Sequence, residues 1–401
     1  MLEELFYIHH QVAKNIPLDF KRYLYARVDW NTPAICLTGA RGVGKTTLLL
    51  QHYYQRYADV QQCLYCSADN VEIASKGLFN TAREYFKYGG LAMIIDEIHK
   101  YPGWQVELKN ILDTFRDKKI LVSGSSSAGL KNTGADLSRR LASYELGGLS
   151  FREYLALKGW PVPGAITLEE LFSDHVRLAQ AMTKTGSILQ AFRQYLSGGY
   201  YPFFQESESA YLGKLLGIIE RTLYEDVVIE GRIKASTVPV LKKILWLLAT
   251  SGSFTVNINK MSRELGISRE YVYEYIQWLE AVGLLHGLRS SAKGFALIRK
   301  PQKLYLRNPN ILMALNSHMR LESGQGIVRE TFFVDQVSGS GALTCPRQGD
   351  FMIDGKYVIE IGGAAKDARQ IEGLEHAFLA LDGIEIGHGN RIPLYLFGCL
   401  Y

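Results

Sequence analysis

The residues with the clearest chemical potential form one short glycine-rich segment, residues 39–46, which reads Gly-x-x-x-x-Gly-Lys-Thr. In such a segment the glycines let backbone N–H groups turn inward around a phosphate, the lysine supplies a positive charge, and the threonine hydroxyl can bind Mg²⁺. The pattern therefore predicts a site for a nucleoside triphosphate with Mg²⁺. The predicted nucleotide-binding residues are Gly39, Ala40, Arg41, Gly42, Val43, Gly44, Lys45, Thr46 and Thr47.

The segments that flank this loop predict how it is held. Residues 33–38 form a short apolar run that is typical of a buried strand, and a helical pattern begins at Thr46. Similar apolar runs alternate with helical segments up to about residue 150, which predicts an α/β fold with a parallel sheet flanked by helices. The predicted strands are Ile35–Thr38, Cys63–Ser67, Met93–Asp96, Ile120–Ser123 and Tyr144–Leu146.

The third of these strands ends in two acids, Asp96 and Glu97. At the carboxyl end of a strand beside a phosphate-binding loop, Asp96 can hold Mg²⁺ and Glu97 can orient and deprotonate the attacking water. An acidic turn after a strand is common by itself, but an adjacent Asp-Glu pair downstream of such a loop favours hydrolysis over binding alone. We therefore expect Thr46 and Asp96 to be the metal residues and Glu97 to be the catalytic base.

Two further candidates follow the fourth strand. A polar residue at this strand end can sense the γ-phosphate, and Ser125 is the first candidate with Ser123 the second. Arg140 is a candidate to reach the γ-phosphate of a neighbouring subunit and stabilise charge in the transition state. A serine-rich turn and a solvated arginine pair, Arg139 and Arg140, are the alternatives that need no function.

Several segments together resemble a family of prokaryotic AAA-type ATPases whose C-terminal domain has a degenerate nuclease-like fold. The resemblance rests on the segments Gly39–Thr46, Met93–Glu97, Val122–Ser126, Ser138–Arg140, Leu149–Leu155 and Gly198–Pro202. It implies an AAA-like core, ATP as the nucleotide, a helical lid, and assembly of a homo-oligomer as a ring or partial ring. Position 99 is a histidine, where the family more often has a glutamine-like residue.

The predicted domain boundaries follow changes in pattern along the chain. Residues 1–150 are expected to form the ATPase domain with a helical N-terminal lead-in, residues 151–235 a helical lid, residues 236–303 a winged-helix-like domain, and residues 304–401 a nuclease-like α/β domain.

A helix-turn-helix pattern lies within the third of these domains, where Ile258–Leu265, a Gly-Ile-Ser turn and Arg269–Val282 follow one another. The second of these helices carries more acids than bases, which disfavours contact with DNA phosphates. Basic residues cluster instead at and after the expected wing: Arg289, Lys293, Arg299, Lys300 and Lys303. Double-stranded DNA is thus a possible partner, and packing without DNA is an equal alternative.

Three acids of the last domain follow the order seen in restriction-type nucleases: Glu330, Asp350 and Glu360. Such sites use the acids for Mg²⁺ and a lysine two residues after the last acid to stabilise the attacking hydroxide. Gly362 occupies the lysine position, and Lys366, four residues further on, is a candidate to substitute for that lysine, although no sequence pattern places it near the acids. We therefore expect this domain to be inactive.

Composition bounds the remaining possibilities. The chain has 401 residues, a formal charge of +5 and five cysteines, and no apolar run approaches the length that spans a membrane. The N-terminus lacks a signal pattern, and the odd, scattered cysteines suggest a reducing compartment, so a cytoplasmic location is expected. Cys63 and Cys66 form a lone C-x-x-C within a strand, where they would face opposite sides, so we interpret them as core residues.

The leading hypothesis is thus an AAA-type ATPase that hydrolyses ATP and couples turnover to conformational change, acting on DNA or on a protein bound to DNA. Two alternatives stay open. One is a nucleotide-gated scaffold with negligible turnover, against which the intact Asp96-Glu97 pair argues. The other is a Mg²⁺-dependent nuclease powered by the ATPase, against which Gly362 argues.

Overall fold

The computed structural model describes residues 2–125, 137, 139–228, 233–251, 255–289 and 301–401. Its contacts divide the chain into two compact units, residues 1–148 and residues 149–401, and each unit is described by itself. Among the described residues, helices with the length and apolar character needed to cross a membrane are absent.

The N-terminal unit is built on a five-stranded sheet in the order β2-β3-β4-β1-β5, in which all neighbouring strands are parallel. Its strands are β1 (Ala34–Thr38), β2 (Cys63–Ser67), β3 (Ala92–Asp96), β4 (Lys119–Gly124) and β5 (Ala142–Glu145). The central strands are buried along almost their whole length because helices cover a parallel sheet on both faces, which accounts for their continuous apolar runs. The predicted α/β fold class and its parallel sheet are confirmed.

The helices of this unit are α1 (Leu2–Ala13), α2 (Lys45–Arg56), α3 (Val71–Lys76), α4 (Leu78–Lys87) and α5 (Trp104–Thr114). The spacing of apolar residues up to about residue 30 predicts a helical lead-in that Pro17 kinks or breaks. The structure ends α1 at Ala13 and adds only a short 3₁₀ helix, Tyr23–Ala26. Proline disfavours a helical conformation in the residue before it, which is consistent with the early end of α1.

Helix α1 closes one edge of the sheet. The buried ring of His9 accepts a hydrogen bond at Nδ1 from the backbone N–H of Tyr65, with 2.9 Å between the two nitrogens. Tyr65 lies on β2, an edge strand whose outward N–H groups would otherwise lack a partner in the sheet. The helical lead-in is therefore part of the core of this unit.

The second unit begins with helices. They are α6 (Phe151–Leu157), α7 (Leu168–Thr183), α8 (Ile188–Gly198), α9 (Tyr211–Arg221), which continues as a π-helix (Thr222–Val227), α10 (Val238–Thr250), α11 (Ile258–Leu265) and α12 (Arg269–Ala281). Gly266 follows α11 with φ of 67°, a left-handed conformation that glycine adopts without steric cost, and so turns the chain toward α12. An antiparallel pair comes next, β6 (Leu285–Leu288) and β7 (Lys303–Leu306).

The end of the chain adds helices α13 (Pro309–His318) and α14 (Gln325–Val337) and a second five-stranded sheet. Its strands are β8 (Leu343–Thr344), β9 (Phe351–Ile353), β10 (Tyr357–Gly363), β11 (Ala377–Asp382) and β12 (Arg391–Pro393), in the order β12-β11-β10-β9-β8. Strands β10, β11 and β12 are parallel to one another, whereas β8 and β9 run antiparallel to their neighbours.

The apolar run Leu394–Phe397 predicts a closing strand, and this prediction is wrong. The structure has the strand β12 before it and a 3₁₀ helix, Leu394–Cys399, in its place. Every residue of that helix is buried. A short apolar run reports burial, and by itself it does not distinguish a strand from a buried helical turn.

Candidate nucleotide site

The phosphate-binding loop joins β1 to α2. Gly42 and Gly44 have φ of 83° and 99°, a left-handed region in which side chains are strained. A Cβ atom on Gly39 would overlap the carbonyl oxygen of Leu146, which lies after the edge strand β5. These three glycines are therefore required by the path of the backbone.

Lys45 is the first residue of α2, and its side chain is buried. Its ammonium donates hydrogen bonds to the carbonyl oxygens of Gly39 and Ala40, at 2.9 and 3.1 Å. The N-terminus of a helix carries unpaired N–H groups and a partial positive charge, so it favours an anion. A positively charged side chain folded over a glycine-rich helix N-terminus fits the phosphates of a nucleotide.

Arg22, which sequence reasoning did not identify, supports the loop from behind. Its buried guanidinium donates hydrogen bonds to the carbonyl oxygens of Val43, Gly147 and Gly148, at 2.6, 2.9 and 2.6 Å. It thus ties the loop to the segment after β5. No sequence signal marks Arg22, because it lies in no motif and its partners are backbone atoms far along the chain.

Asp96 accepts hydrogen bonds from hydroxyl groups on three separate elements. Its Oδ2 atom accepts hydrogen bonds from Thr46 Oγ1 at 2.6 Å and from the Tyr65 hydroxyl at 3.0 Å, and its Oδ1 atom accepts one from Ser123 Oγ. The structure therefore brings together Thr46 and Asp96, the two residues predicted to hold a metal. Their oxygen donors, a hydroxyl and a carboxylate, suit Mg²⁺.

Tyr65 is a second residue that the sequence left unmarked. Burial raises the pKa of its hydroxyl well above the usual value, and the negative charge of Asp96 adds to this shift. The hydroxyl therefore stays protonated and acts as a donor to the carboxylate. Tyr65 sits within the apolar run of β2, where an aromatic residue looks like any other core side chain.

The two serine candidates occupy different positions. Ser123 donates to Asp96, and its oxygen also accepts the backbone N–H of Glu97 at 3.2 Å. Ser125 is buried as well, and its backbone N–H donates to Nδ1 of His99 at 3.4 Å. The second-choice serine thus contacts the acid pair directly, whereas the first choice reaches it through His99.

Glu97 has φ of 51° and ψ of 40°, a left-handed conformation that is uncommon for a residue with a side chain. Its Oε2 atom lies 3.5 Å from Nε2 of His99 and 3.9 Å from Nζ of Lys100. Lys100 also pairs with Asp69, at 2.7 Å. The carboxylate is therefore held beside two nitrogen atoms, and His99 connects it to the strand end at Ser125.

Arg140 is paired within its own chain. Its guanidinium makes two bonds to the carboxylate of Asp113 on α5, from Nε to Oδ1 at 2.8 Å and from an Nη atom to Oδ2 at 3.2 Å. Its side chain is about one-third exposed, at 32%. Residues 126–136 and 138, which include Ser126 and Ser138, lie outside the described residues.

The cysteine pair behaves as core. Cys63 and Cys66 are free and buried in β2, and burial raises the pKa of the Cys66 thiol to about 12. Thiols with raised pKa values are poor nucleophiles and poor metal ligands. Over the ranges that the structure describes, no group of three His, Cys, Asp or Glu side chains is placed to hold a metal ion.

Comparison with known protein families finds two matches along the chain. Residues 31–155 match the model of an AAA domain. This region is similar to AAA domains. Residues 189–322 match a domain of unknown function (DUF8612), and this match indicates no particular activity.

Among curated proteins, the chain is 26% identical over 392 residues to the uncharacterized protein MJ1637 of Methanocaldococcus jannaschii, covering 89% of this chain and 81% of that protein. Among solved structures, it is 16% identical to DnaA of Aquifex aeolicus bound to AMPPCP, with a TM-score of 0.28 over 69% of this chain and 88% of DnaA. It is 17% identical to the S. cerevisiae Hsp104–ADP complex, with a TM-score of 0.25 over 69% of this chain and 39% of Hsp104. TM-scores this low add nothing to the argument.

Proposed function

We propose that the N-terminal unit binds ATP with Mg²⁺ and hydrolyses it. The observation that carries the proposal is the 2.6 Å hydrogen bond from Thr46 to Asp96, which joins the phosphate-binding loop to the acid pair. A hydroxyl at the start of α2 and a carboxylate at the end of β3 are the two groups that a Mg²⁺ ion beside nucleotide phosphates requires. The match of residues 31–155 to an AAA domain supports the same reading.

Each residue then has a defined role. Gly39–Thr47 would surround the phosphates, Lys45 would neutralise their charge, and Thr46 and Asp96 would hold Mg²⁺, which lowers the repulsion between phosphate and nucleophile. Glu97 would orient a water molecule and accept its proton. Tyr65 and Ser123 fix the orientation of Asp96 through their hydroxyl groups.

Arg140 and Ser125 are proposed to complete the site. Arg140 would stabilise transition-state charge in the site of a neighbouring copy, which makes a homo-oligomer the active form. To do so, the guanidinium must exchange the Asp113 carboxylate for phosphate oxygens. Ser125 lies at the end of β4 and would report the presence of the γ-phosphate to Glu97 through His99, since its N–H contacts that ring.

The client is proposed to be DNA or a protein bound to DNA, with ATP turnover driving a conformational change. The support is the order of helices α10, α11 and α12 and the strand pair β6–β7, which suits a winged helix, together with basic residues such as Arg289. Lys303, one of the basic residues predicted for DNA, instead lies 3.9 Å from both Glu330 and Asp350. Lys293, Arg299 and Lys300 lie outside the described residues.

One observation favours the second candidate, a nucleotide-gated scaffold with negligible turnover. The Glu97 carboxylate lies 3.5 Å from His99 and 3.9 Å from Lys100, so these two nitrogen atoms compete with a water molecule for its oxygens. If this arrangement persists with nucleotide bound, the protein would bind ATP and release it unchanged.

A paired measurement of nucleotide binding and turnover tests the proposal. Lys45→Ala is expected to lose binding of a fluorescent ATP analogue and to lose turnover, whereas Lys87→Ala, an exposed lysine at the end of α4, retains both. Turnover that rises with double-stranded DNA and fades with added salt would support the DNA client. Equal binding by Lys45→Ala and the wild type would refute the site.

A further inference from the structure

Five charged side chains meet in the second unit at the junction of β7, α14 and β10; we call them the acid–lysine cluster: Lys303, Glu330, Asp350, Glu360 and Lys366. Lys303 Nζ lies 3.9 Å from Glu330 Oε2 and 3.9 Å from Asp350 Oδ1. Glu330 accepts a hydrogen bond from the Tyr305 hydroxyl at 2.7 Å, and Asp350 accepts one from the N–H of Ile361 at 2.9 Å. Residues far apart in sequence therefore form one charged group.

The side chain of Lys366 lies in the space that a side chain at position 362 would occupy. A Cβ atom on Gly362 would overlap the Cβ and Cγ atoms of Lys366, so the lysine side chain lies across that position of β10. The ammonium of Lys366 reaches Glu360 Oε1 at 2.6 Å and also donates to Gln370 at 3.1 Å. The lysine that seemed absent from the sequence is thus supplied from four positions further along the chain.

The carboxylate of Glu360 is only partly hydrogen-bonded. Its side chain is 2% exposed, and its Oε1 atom is paired with Lys366. Its Oε2 atom has no hydrogen-bond partner among the described residues. A buried carboxylate oxygen without a donor is destabilising, so this atom is suited to a cation.

The net charge of the cluster also favours a bound cation. Its three carboxylates face two lysine ammonium groups, which leaves one negative charge uncompensated within the cluster.

We propose that Asp350 and Glu360 bind a divalent metal ion beside Lys366, and that the site hydrolyses phosphodiesters. Mg²⁺ and Mn²⁺ are commonly held by one or two carboxylates with water completing the shell. Two acids suffice for such a site, which agrees with the absence of three-residue metal groups in the described part of the chain. This inference departs from the inactive domain that Gly362 predicts.

The reaction is a hydrolysis that needs only water. The water oxygen forms a bond to phosphorus, the bond from phosphorus to the leaving oxygen breaks, the attacking water releases one proton to solvent, and the leaving oxygen takes one from solvent. Lys366 would stabilise the negative charge that develops around phosphorus, and the bound ion would favour hydroxide as the nucleophile. Lys303 would attract the substrate phosphate.

The first test is binding of Mn²⁺ alone, without nucleotide, followed by electron paramagnetic resonance in full-length Asp96→Asn protein so that the N-terminal site does not contribute. We expect bound Mn²⁺ that Glu360→Gln weakens at least about tenfold, since it removes a charged ligand. Lys356→Met removes an exposed lysine from the turn between β9 and β10 and should change nothing. Lys366→Met should retain or strengthen binding, because it removes a competing cation. Binding unaffected by Glu360→Gln overturns the proposal.

The second test is cleavage of supercoiled plasmid and of a small chromogenic phosphodiester with Mg²⁺ or Mn²⁺. Cleavage of both indicates a general diesterase, and cleavage of plasmid alone indicates a nucleic-acid site. Lys366→Met should lose about 100-fold of the rate while it still binds Mn²⁺. The swap Gly362→Lys with Lys366→Gly should recover at least about tenfold of that loss, a result that a purely structural lysine would not give.

Two outcomes overturn the catalytic part: no cleavage of either substrate by the wild type, or equal cleavage by Glu360→Gln. Where Glu360→Gln fails to fold by thermal unfolding, Asp350→Asn replaces it in both tests. The Lys45→Ala protein should still cleave, because the proposed reaction uses no nucleotide. Failure of the ATPase proposal would therefore leave this readout unchanged, and the two failures are distinguishable.

Discussion

The phosphate-binding loop and the acid–lysine cluster assemble their charged groups in different ways. In the loop, the residues that would contact phosphate are consecutive, and distant residues such as Arg22 serve only to brace the backbone. In the cluster, the charged groups themselves come from distant positions, and Lys366 fills the space left by Gly362. A site built from consecutive residues is visible as a sequence motif. In a site assembled by tertiary structure, a residue can stand at another position in the sequence while its side chain occupies the same place in the site.

The largest expected effect concerns the number of chains that each of the two sites needs. All the charged groups of the acid–lysine cluster come from one chain, whereas the nucleotide site is proposed to need Arg140 from a neighbour. Arg140→Ala should lower turnover about 1,000-fold and remove its rise with protein concentration. Asp113→Asn, which releases the guanidinium from its ion pair, should retain turnover. Full turnover by Arg140→Ala would mean that each subunit works alone.

A second prediction separates the sites. Asp96→Asn removes the charged acceptor shared by Thr46, Ser123 and Tyr65, so ATP turnover should fall about 100-fold or more. Phosphodiester cleavage should be unchanged, because that reaction is assigned to the second unit. Loss of both activities in Asp96→Asn, with the protein still folded, would show that the two sites act as one.

The support of the loop gives a smaller expected effect. Arg22→Met removes three hydrogen bonds to loop and strand carbonyls, so we expect nucleotide affinity to fall about tenfold and stability to fall by roughly 2–4 kcal/mol. Arg27→Met, an exposed arginine close by in sequence, is the matched control. Affinity of Arg22→Met equal to that of the control would contradict the bracing role. Isothermal titration and urea unfolding provide the two readouts.

Much of the nucleotide site was predictable because its information is local. The loop, β3 and the pair Asp96-Glu97 are short segments whose hydrophobic and chemical patterns fix both their conformation and their order in a parallel sheet. The structure then brings Thr46 and Asp96 together as expected. The remaining site residues stay predictions about function, because a contact between two side chains does not by itself show turnover.

The contacts that escaped prediction are all tertiary. Tyr65 looks like a core residue of β2, yet its hydroxyl reaches Asp96. Arg140 looks like a free basic residue, yet Asp113 holds it from α5. Lys366 lies outside the spacing of any motif, and only the backbone geometry at Gly362 shows where its side chain goes. No periodicity encodes such contacts.

A further expected effect, on stability and not on turnover, concerns the response of the N-terminal unit to acid. Burial lowers the pKa of His52 to about 4, aided by the charges of Lys119, Arg56 and Lys21, and burial lowers that of His9 to about 4. An unfolded histidine has a pKa of about 6.5, so the unfolded state binds more protons between pH 6.5 and 4. Stability should therefore fall as the pH drops through this window, by about 3 kcal/mol for His52.

His52→Phe checks that assignment, because phenylalanine can keep the stacking on Trp30, whose ring lies 3.9 Å away, but cannot bind a proton. Urea unfolding at pH 7 and at pH 4.5 should show a smaller acid loss in this variant, with His9 accounting for what is left. His318→Gln, an exposed histidine of the second unit, should behave like the wild type. An unchanged acid loss in His52→Phe would assign the effect elsewhere.

The most direct measurement of the central claim is steady-state ATP turnover by the wild type and by Glu97→Gln, with nucleotide binding measured on the same samples. Our account predicts that the wild type turns over, and that Glu97→Gln binds ATP as well but turns over about 100-fold more slowly, because the amide cannot accept the proton of water. Turnover at the same rate in both proteins would contradict the assignment of Glu97. Binding without turnover in the wild type would identify a nucleotide-gated scaffold instead.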